Sequence, residues 1–188
     1  MSASDTHTPT PGDEDPLERF AHCHDGILRQ LQALDGLPAL AETAAQARRS
    51  AEQTLRFFRD VIYEHHGQEE QELFPAVLAS AAPGEELAHV QRVVAQLTRE
   101  HREIEAAWEA LAPALKALTK GREAVLDADA VQALVRRYRD HAGFEEREFL
   151  PLSEAILGRN SHHMAALGLS LHLRHAVPEA LERYPGVV

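Results

Sequence analysis

His65-His66-Gly67-Gln68-Glu69-Glu70-Gln71-Glu72-Leu73-Phe74-Pro75 doubles both its histidines and its glutamates. On a helix, residues four apart stand one above the other, so either His65 pairs with Glu69 or His66 with Glu70. The chain answers with a second copy, His141-Ala142-Gly143-Phe144-Glu145-Glu146-Arg147-Glu148-Phe149-Leu150-Pro151, placed 76 positions later. His65 then matches His141 and Glu69 matches Glu145, whereas His66 matches Ala142, which ligates nothing. His65 with Glu69 and His141 with Glu145 are therefore the candidate pairs, and His66 is expected to be dispensable.

The segments around these motifs carry apolar residues at helical spacing. Before the first motif run Phe58 and Ile62, and before the second run Leu134 and Tyr138, each in steps of three or four. Two more stripes share the register. One holds Leu17, Phe20, His24, Ile27, Leu31 and Leu34; the other holds Val94, Leu97, His101, Ile104, Trp108 and Leu111. They align at an offset of 77, which matches His24 with His101. The chain is thus a helix pair used twice, each half offering one histidine and one His-x3-Glu.

The spacing predicts four main helices. The first opens at Asp15-Pro16, a cap followed by proline at the first helical position, and stops at Asp35-Gly36-Leu37-Pro38. The second covers about 39–79, the third about 85–119, and the fourth starts at a cap on Asp129 and closes at Gly158. Residues 1–14 read as a disordered tail, residues 15–158 as the bundle, and residues 159–188 as an extension with one short helix. The expected fold is all-α, an up-down-up-down four-helix bundle.

Composition narrows the function. A net charge of -11 over 188 residues argues against nucleic acid and anionic membrane surfaces as partners. No apolar run reaches the ~18 residues of a membrane span, and the first residues lack a signal pattern. One cysteine, Cys23, excludes an internal disulfide, so cytoplasm is the expected compartment. Twelve histidines, many in apolar segments, stand where an unpaired polar ring would be unfavourable.

Six of these core-facing positions converge: His24, His65, Glu69, His101, His141 and Glu145. A single His-x3-Glu fits a salt-linked core histidine equally well, but two copies in register with matched histidines fit a dimetal site. Imidazole with carboxylate suits Fe, Zn, Mn or Ni, and the lack of thiolates disfavours an iron–sulfur cluster. Six ligands exceed a tetrahedral zinc site and suit two metals bridged by the two carboxylates. A ferritin-like plan needs two Glu-x2-His motifs, and only Glu86-Leu87-Ala88-His89 is present.

At these residues the chain resembles the hemerythrin-like, HHE cation-binding domain family over about residues 16–157. The resemblance implies a four-helix bundle around a non-haem di-iron centre, with zinc or manganese as substitutes. It implies His24, His65, His101 and His141 as ligands, with Glu69 and Glu145 as bridging carboxylates. Oxygen-carrying members have a second histidine one turn beyond the third-helix ligand, where this chain has Glu105, and an aspartate one residue beyond Glu145. Glu105 is accordingly a further candidate ligand, and reversible oxygen carriage is not expected.

The implied function is binding of, or reaction with, a small ligand such as O2, H2O2 or NO, with peroxide decomposition as the enzymatic form. The alternatives are an iron, oxygen or redox sensor without turnover, and iron delivery for iron–sulfur repair. Gly67 and Gly143 read either as tolerated or as room beside the metals. Tyr138 reads as a core tyrosine or a hydrogen-bond donor near the ligands. Cys23 points off the stripe, and Glu70, Glu72, Glu146 and Glu148 read as a solvated acidic face. His162, His163, His172 and His175 read chiefly as packing or surface residues.

Overall fold

A computed structural model describes residues 16–159; the expected tail, 1–14, and the extension with its histidines lie outside the described residues. Every regular element among the described residues is helical. They are α1 (Pro16–Gln32), a 3-10 turn (Ala33–Gly36), α2 (Leu37–Phe57), α3 (Tyr63–Gln68), α4 (Phe74–Ser80), α5 (Glu85–Thr119), α6 (Ala128–Phe144) and α7 (Leu150–Leu157). Single wide π turns join α2 to α3 (Phe58–Ile62), α3 to α4 (Glu69–Leu73) and α6 to α7 (Glu145–Phe149).

The chain divides into one unit ending at Gln46 and a second beginning at Ala47. In the first, the expected stop at Asp35–Pro38 is only the 3-10 turn, and helix resumes at Leu37. Pro38 lies in the first turn of α2, where a missing N–H is harmless. Leu17, Phe20, Ile27, Leu31 and Leu34 of this unit are exposed. His24 is exposed too, its ring edge-on to Phe20 at 4.8 Å.

In the second unit three rods run antiparallel: residues 47–80, α5, and residues 128–157. Pairs across the first and second rods show the direction, since Tyr63 bonds Glu109 (2.6 Å) while His66 bonds Glu105 (3.1 Å). The second and third rods repeat it, with Arg137 on Glu103 (2.5 Å) and His141 on Glu100 (3.1 Å). The rods end where sequence chemistry dictates. Gly84 takes φ 104° before α5, and Gly121 takes φ 64° after it. There the N–H of Gly121 bonds Leu118 and that of Arg122 bonds Ala117, which closes the helix with a Schellman motif. The cap of α6 is Asp127 rather than Asp129. Its carboxylate accepts from the N–H groups of Asp129 (2.9 Å) and Ala130 (3.2 Å), because the helix starts two residues earlier than the capping-box pattern implied.

Two apolar cores occupy opposite ends of the three rods. One holds Phe58, Ile62, Ile104, Trp108, Leu111 and Leu134, with the Phe58 and Trp108 rings stacked at 3.8 Å. The other holds Leu73, Val77, Val90, Leu97, Phe149 and Ile156. Between them each rod contributes buried polar residues: His66 and Glu69, His101, and His141 with Glu145. Beside the first core lies an apolar cleft of about 650 Å³, walled by Thr54, Trp108, Leu134 and Tyr138 among others. No helix among the described residues is long and apolar enough to cross a membrane.

Candidate metal centre

The polar layer owes its position to the π turns. Glu69 and Glu145 each open one, and each turn is followed two residues later by a proline, Pro75 or Pro151. A proline offers no N–H and its ring crowds the carbonyl four residues back, here Gln71 or Arg147 inside the turn. A wider turn relieves that crowding, and such turns recur at functional sites.

The same device overturns the expectation for His66. Each π turn takes an extra residue to go round, so side chains beyond it lag behind ideal helical phase. After the turn at Phe58–Ile62, the buried line runs through Phe58, Ile62, His66, Glu69 and Leu73. His66 is 1% exposed, whereas the His65 side chain keeps 20% exposure. The doubled histidines therefore both reach the polar layer, one in each of two groups of potential ligands.

Potential ligand atoms gather into two groups, each with all atoms within 4.8 Å of one another. The first is His66, His101 and His141; the second is His65, Glu69 and Glu145. The His66 and His101 rings stack at 3.9 Å, and His141 stands edge-on to His101 at 4.8 Å. His65 Nε2 lies 3.7 Å from Glu69 Oε1 and 4.0 Å from Glu145 Oε2. Of the residues read from the sequence, His65, Glu69, His101, His141 and Glu145 are brought together. His24 belongs to neither group among the described residues.

Three carboxylates stand behind the rings; the sequence reading took Glu105 as a candidate ligand and Glu70 as part of an acidic face, and passed over Glu100. The Nδ1 atoms of His66, His101 and His141 meet Glu105 (3.1 Å), Glu70 (2.8 Å) and Glu100 (3.1 Å). Arg102 ties two of these together, bonding Glu105 at 2.8 Å and also Glu70. Glu70 thus belongs to the site and not merely to a solvated face, and Glu105 orients His66 instead of joining either group. The missed signal was spacing across helices, since each carboxylate of this trio meets a histidine of another rod.

With Nδ1 committed to a carboxylate, each ring presents Nε2 inward. The Nε2 atoms of His66, His101 and His141, together with Glu69 Oε2, are buried without a hydrogen-bond partner. His101 Nε2 does approach Glu69 Oε2 to 3.2 Å, an ion-pair distance without hydrogen-bond alignment. Leaving such atoms unmet costs about 1–3 kcal/mol each. A cation in the layer would satisfy them all, so the donors present fit a metal.

Electrostatics agree with neutral, electron-donating rings. Burial, with neighbouring imidazoles adding to it, pushes His66 down to about 2. Burial also lowers His65 and His141, against the pull of Glu145 and Glu100. His101 differs, since contact with Glu69 and Glu70 outweighs its burial and raises it. Glu145 is raised by burial and then by the charge of Glu69, with which it shares a hydrogen bond. Tyr138 is pushed up to about 12 by burial and these same carboxylates.

The sign of the resulting pH dependence follows for the metal-free protein. His66 stays neutral when folded but takes a proton near pH 6.5 when unfolded, so its contribution is complete above that pH and is lost below it. The loss amounts to about 2 kcal/mol at pH 5. His65 and His141 act in the same direction, whereas the raised His101 and Glu145 act in the opposite one. The His66 part therefore shows as a difference: from pH 7 to pH 5 the metal-free wild type should lose about 2 kcal/mol that a His66→Phe variant does not lose, and equal changes in the two proteins would contradict the burial of this ring.

The glycines of the motif do not face the ligands. A Cβ at Gly67 would meet only the Gln71 side chain at 3.9 Å, and one at Gly143 only the mobile end of Arg147. Gly67→Ala and Gly143→Ala are expected to stabilise the protein by roughly 1 kcal/mol each without altering metal content. Chemical denaturation and metal analysis check both halves of that statement. Glu86 of the lone Glu-x2-His motif is committed elsewhere, accepting from the Ala82 N–H (2.6 Å) and from Arg159 (2.9 Å).

Comparison with known proteins gives a consistent answer. The chain is 27% identical over 159 residues to an uncharacterized protein of Haemophilus influenzae, covering 81% of this chain and 89% of that one. No solved structure gives a significant match. The family model described as the hemerythrin HHE cation binding domain matches residues 15–153. With two groups of potential metal ligands inside the matched residues, the chain belongs to the hemerythrin HHE cation-binding family.

Proposed function

We propose that this protein holds two iron ions between its three rods and uses them to bind or react with a small ligand, O2, H2O2 or NO, peroxide decomposition being the enzymatic form. The carrying observation is the pair of donor groups, with Nε2 of His66, His101 and His141 and Oε2 of Glu69 buried without a hydrogen bond. His65, His101 and His141 would hold the ions as imidazole ligands, and Glu69 and Glu145 as carboxylate ligands. His24 is retained as a further donor on the strength of its match to His101 in the repeat. Iron would supply redox cycling between ferrous and ferric states together with open coordination positions.

The chain's own residues do the rest. Glu70 and Glu100 hold Nδ1 of their rings protonated, which fixes Nε2 as the donor atom and raises its basicity. The two apolar cores keep bulk water from the layer, which strengthens every charge interaction inside it. Glu145, whose carboxyl is pushed upward, is a place where a proton can be held beside the ligands and given up when a cation arrives. Metal analysis after anaerobic ferrous loading tests the reading: about two irons per chain are expected for a dimetal site. Fewer than that under iron-replete conditions would reject it.

A further inference from the structure

We propose that His66 is itself a metal ligand, completing with His101 and His141 a three-imidazole pole distinct from the pole of His65, Glu69 and Glu145. The inference rests on the dimetal reading above and goes beyond it in the ligand set and in the inequality of the two poles. His66 is built into the site as the other two rings are. Its Nδ1 is anchored on a carboxylate of a neighbouring helix, Glu105, at 3.1 Å, as His101 is on Glu70 and His141 on Glu100. Its Nε2 is buried without a hydrogen bond, as are those of His101 and His141, and the three rings each place a ligand nitrogen within 4.8 Å of the other two.

A histidine kept only for packing would leave that nitrogen unmet in a buried layer of the unit. A purely packed position would also accept an apolar residue of similar size, without Glu105 and Arg102 arranged behind it. Three such nitrogens converging have one common remedy, a cation. The two poles then differ in chemistry. Three neutral imidazoles suit a borderline divalent ion such as Fe2+, Co2+ or Zn2+, whereas one imidazole with two carboxylates suits a harder ion. His66 is thus what makes the centre asymmetric.

Cobalt(II), added alone under anaerobic conditions to the full chain, is the probe. The wild type should bind about two Co2+, each ring that ligates through Nε2 with a protonated Nδ1 contributing one exchangeable, paramagnetically shifted N–H resonance. His66→Ala should weaken one of the two binding events at least tenfold and remove one of those resonances. His66→Gln, which preserves volume, should do the same, and circular dichroism of the metal-free variants establishes that they fold. Two undiminished binding events with an unchanged set of resonances in a folded variant would overturn the role of His66. Fewer than two Co2+ on the wild type would instead overturn the dimetal reading beneath it.

Discussion

His101→Ala is expected to lower the metal content from about two ions per chain to fewer than one and to reduce any peroxide turnover at least 100-fold. The size of the effect comes from position. His101 lies midway along α5, is 0% exposed, and belongs to the three-imidazole group. Its Nε2 also sits 3.2 Å from Glu69, a member of the other group, so its loss disturbs both. Removing only the carboxylate behind it should be milder. Glu70→Gln keeps the ring but weakens its orientation, and such outer partners are worth about 10–100-fold in affinity. Metal analysis after gel filtration and an oxygen-electrode assay for peroxide would measure the two variants side by side. Retention of two irons by His101→Ala would remove the ring from the ligand set.

Phe149→Ala should destabilise the metal-free protein by about 3–5 kcal/mol. Phe149 is fully buried, packs with Leu73, Val77, Leu97, Ile156 and Leu157, and meets the Phe74 ring edge-on at 5.0 Å. Its removal leaves a cavity bounded by three separate rods, none of which can collapse inward without moving the others. Losing the aromatic pair adds about 1 kcal/mol. Because Phe149 closes the π turn that Glu145 opens, weaker metal binding should accompany the loss. Urea denaturation gives the number, and a change below about 1 kcal/mol would mean that the site relaxes where rigid packing is claimed.

Much of this was readable before any coordinates. Helix α5 spans Glu85–Thr119, where its stripe and flanking Pro83-Gly84 and Gly121 placed it. His65, Glu69, His101, His141 and Glu145 stand out because Leu or Ile would otherwise fill those periodic positions, although the structure parts the expected pair His141 and Glu145 into different groups. The cap of α6 was misplaced by two residues, since Asp127 and Asp129 offer the same side chain and only backbone geometry chooses between them.

What the sequence by itself determined is the helical class, the division into apolar and polar layers along each stripe, and the types of donor available. Periodicity carries that information because one face of each helix must leave water. What only the tertiary structure decided is which of two adjacent histidines turns inward and what stands behind each ring. A π turn shifts phase by a fraction of a turn, which a string of letters with period 3.6 does not record, and so His66 was set aside. The part that Glu70, Glu100 and Glu105 play behind the rings was not legible for a related reason: each acts on a histidine from another helix, and contacts between helices exist only once the rods are packed.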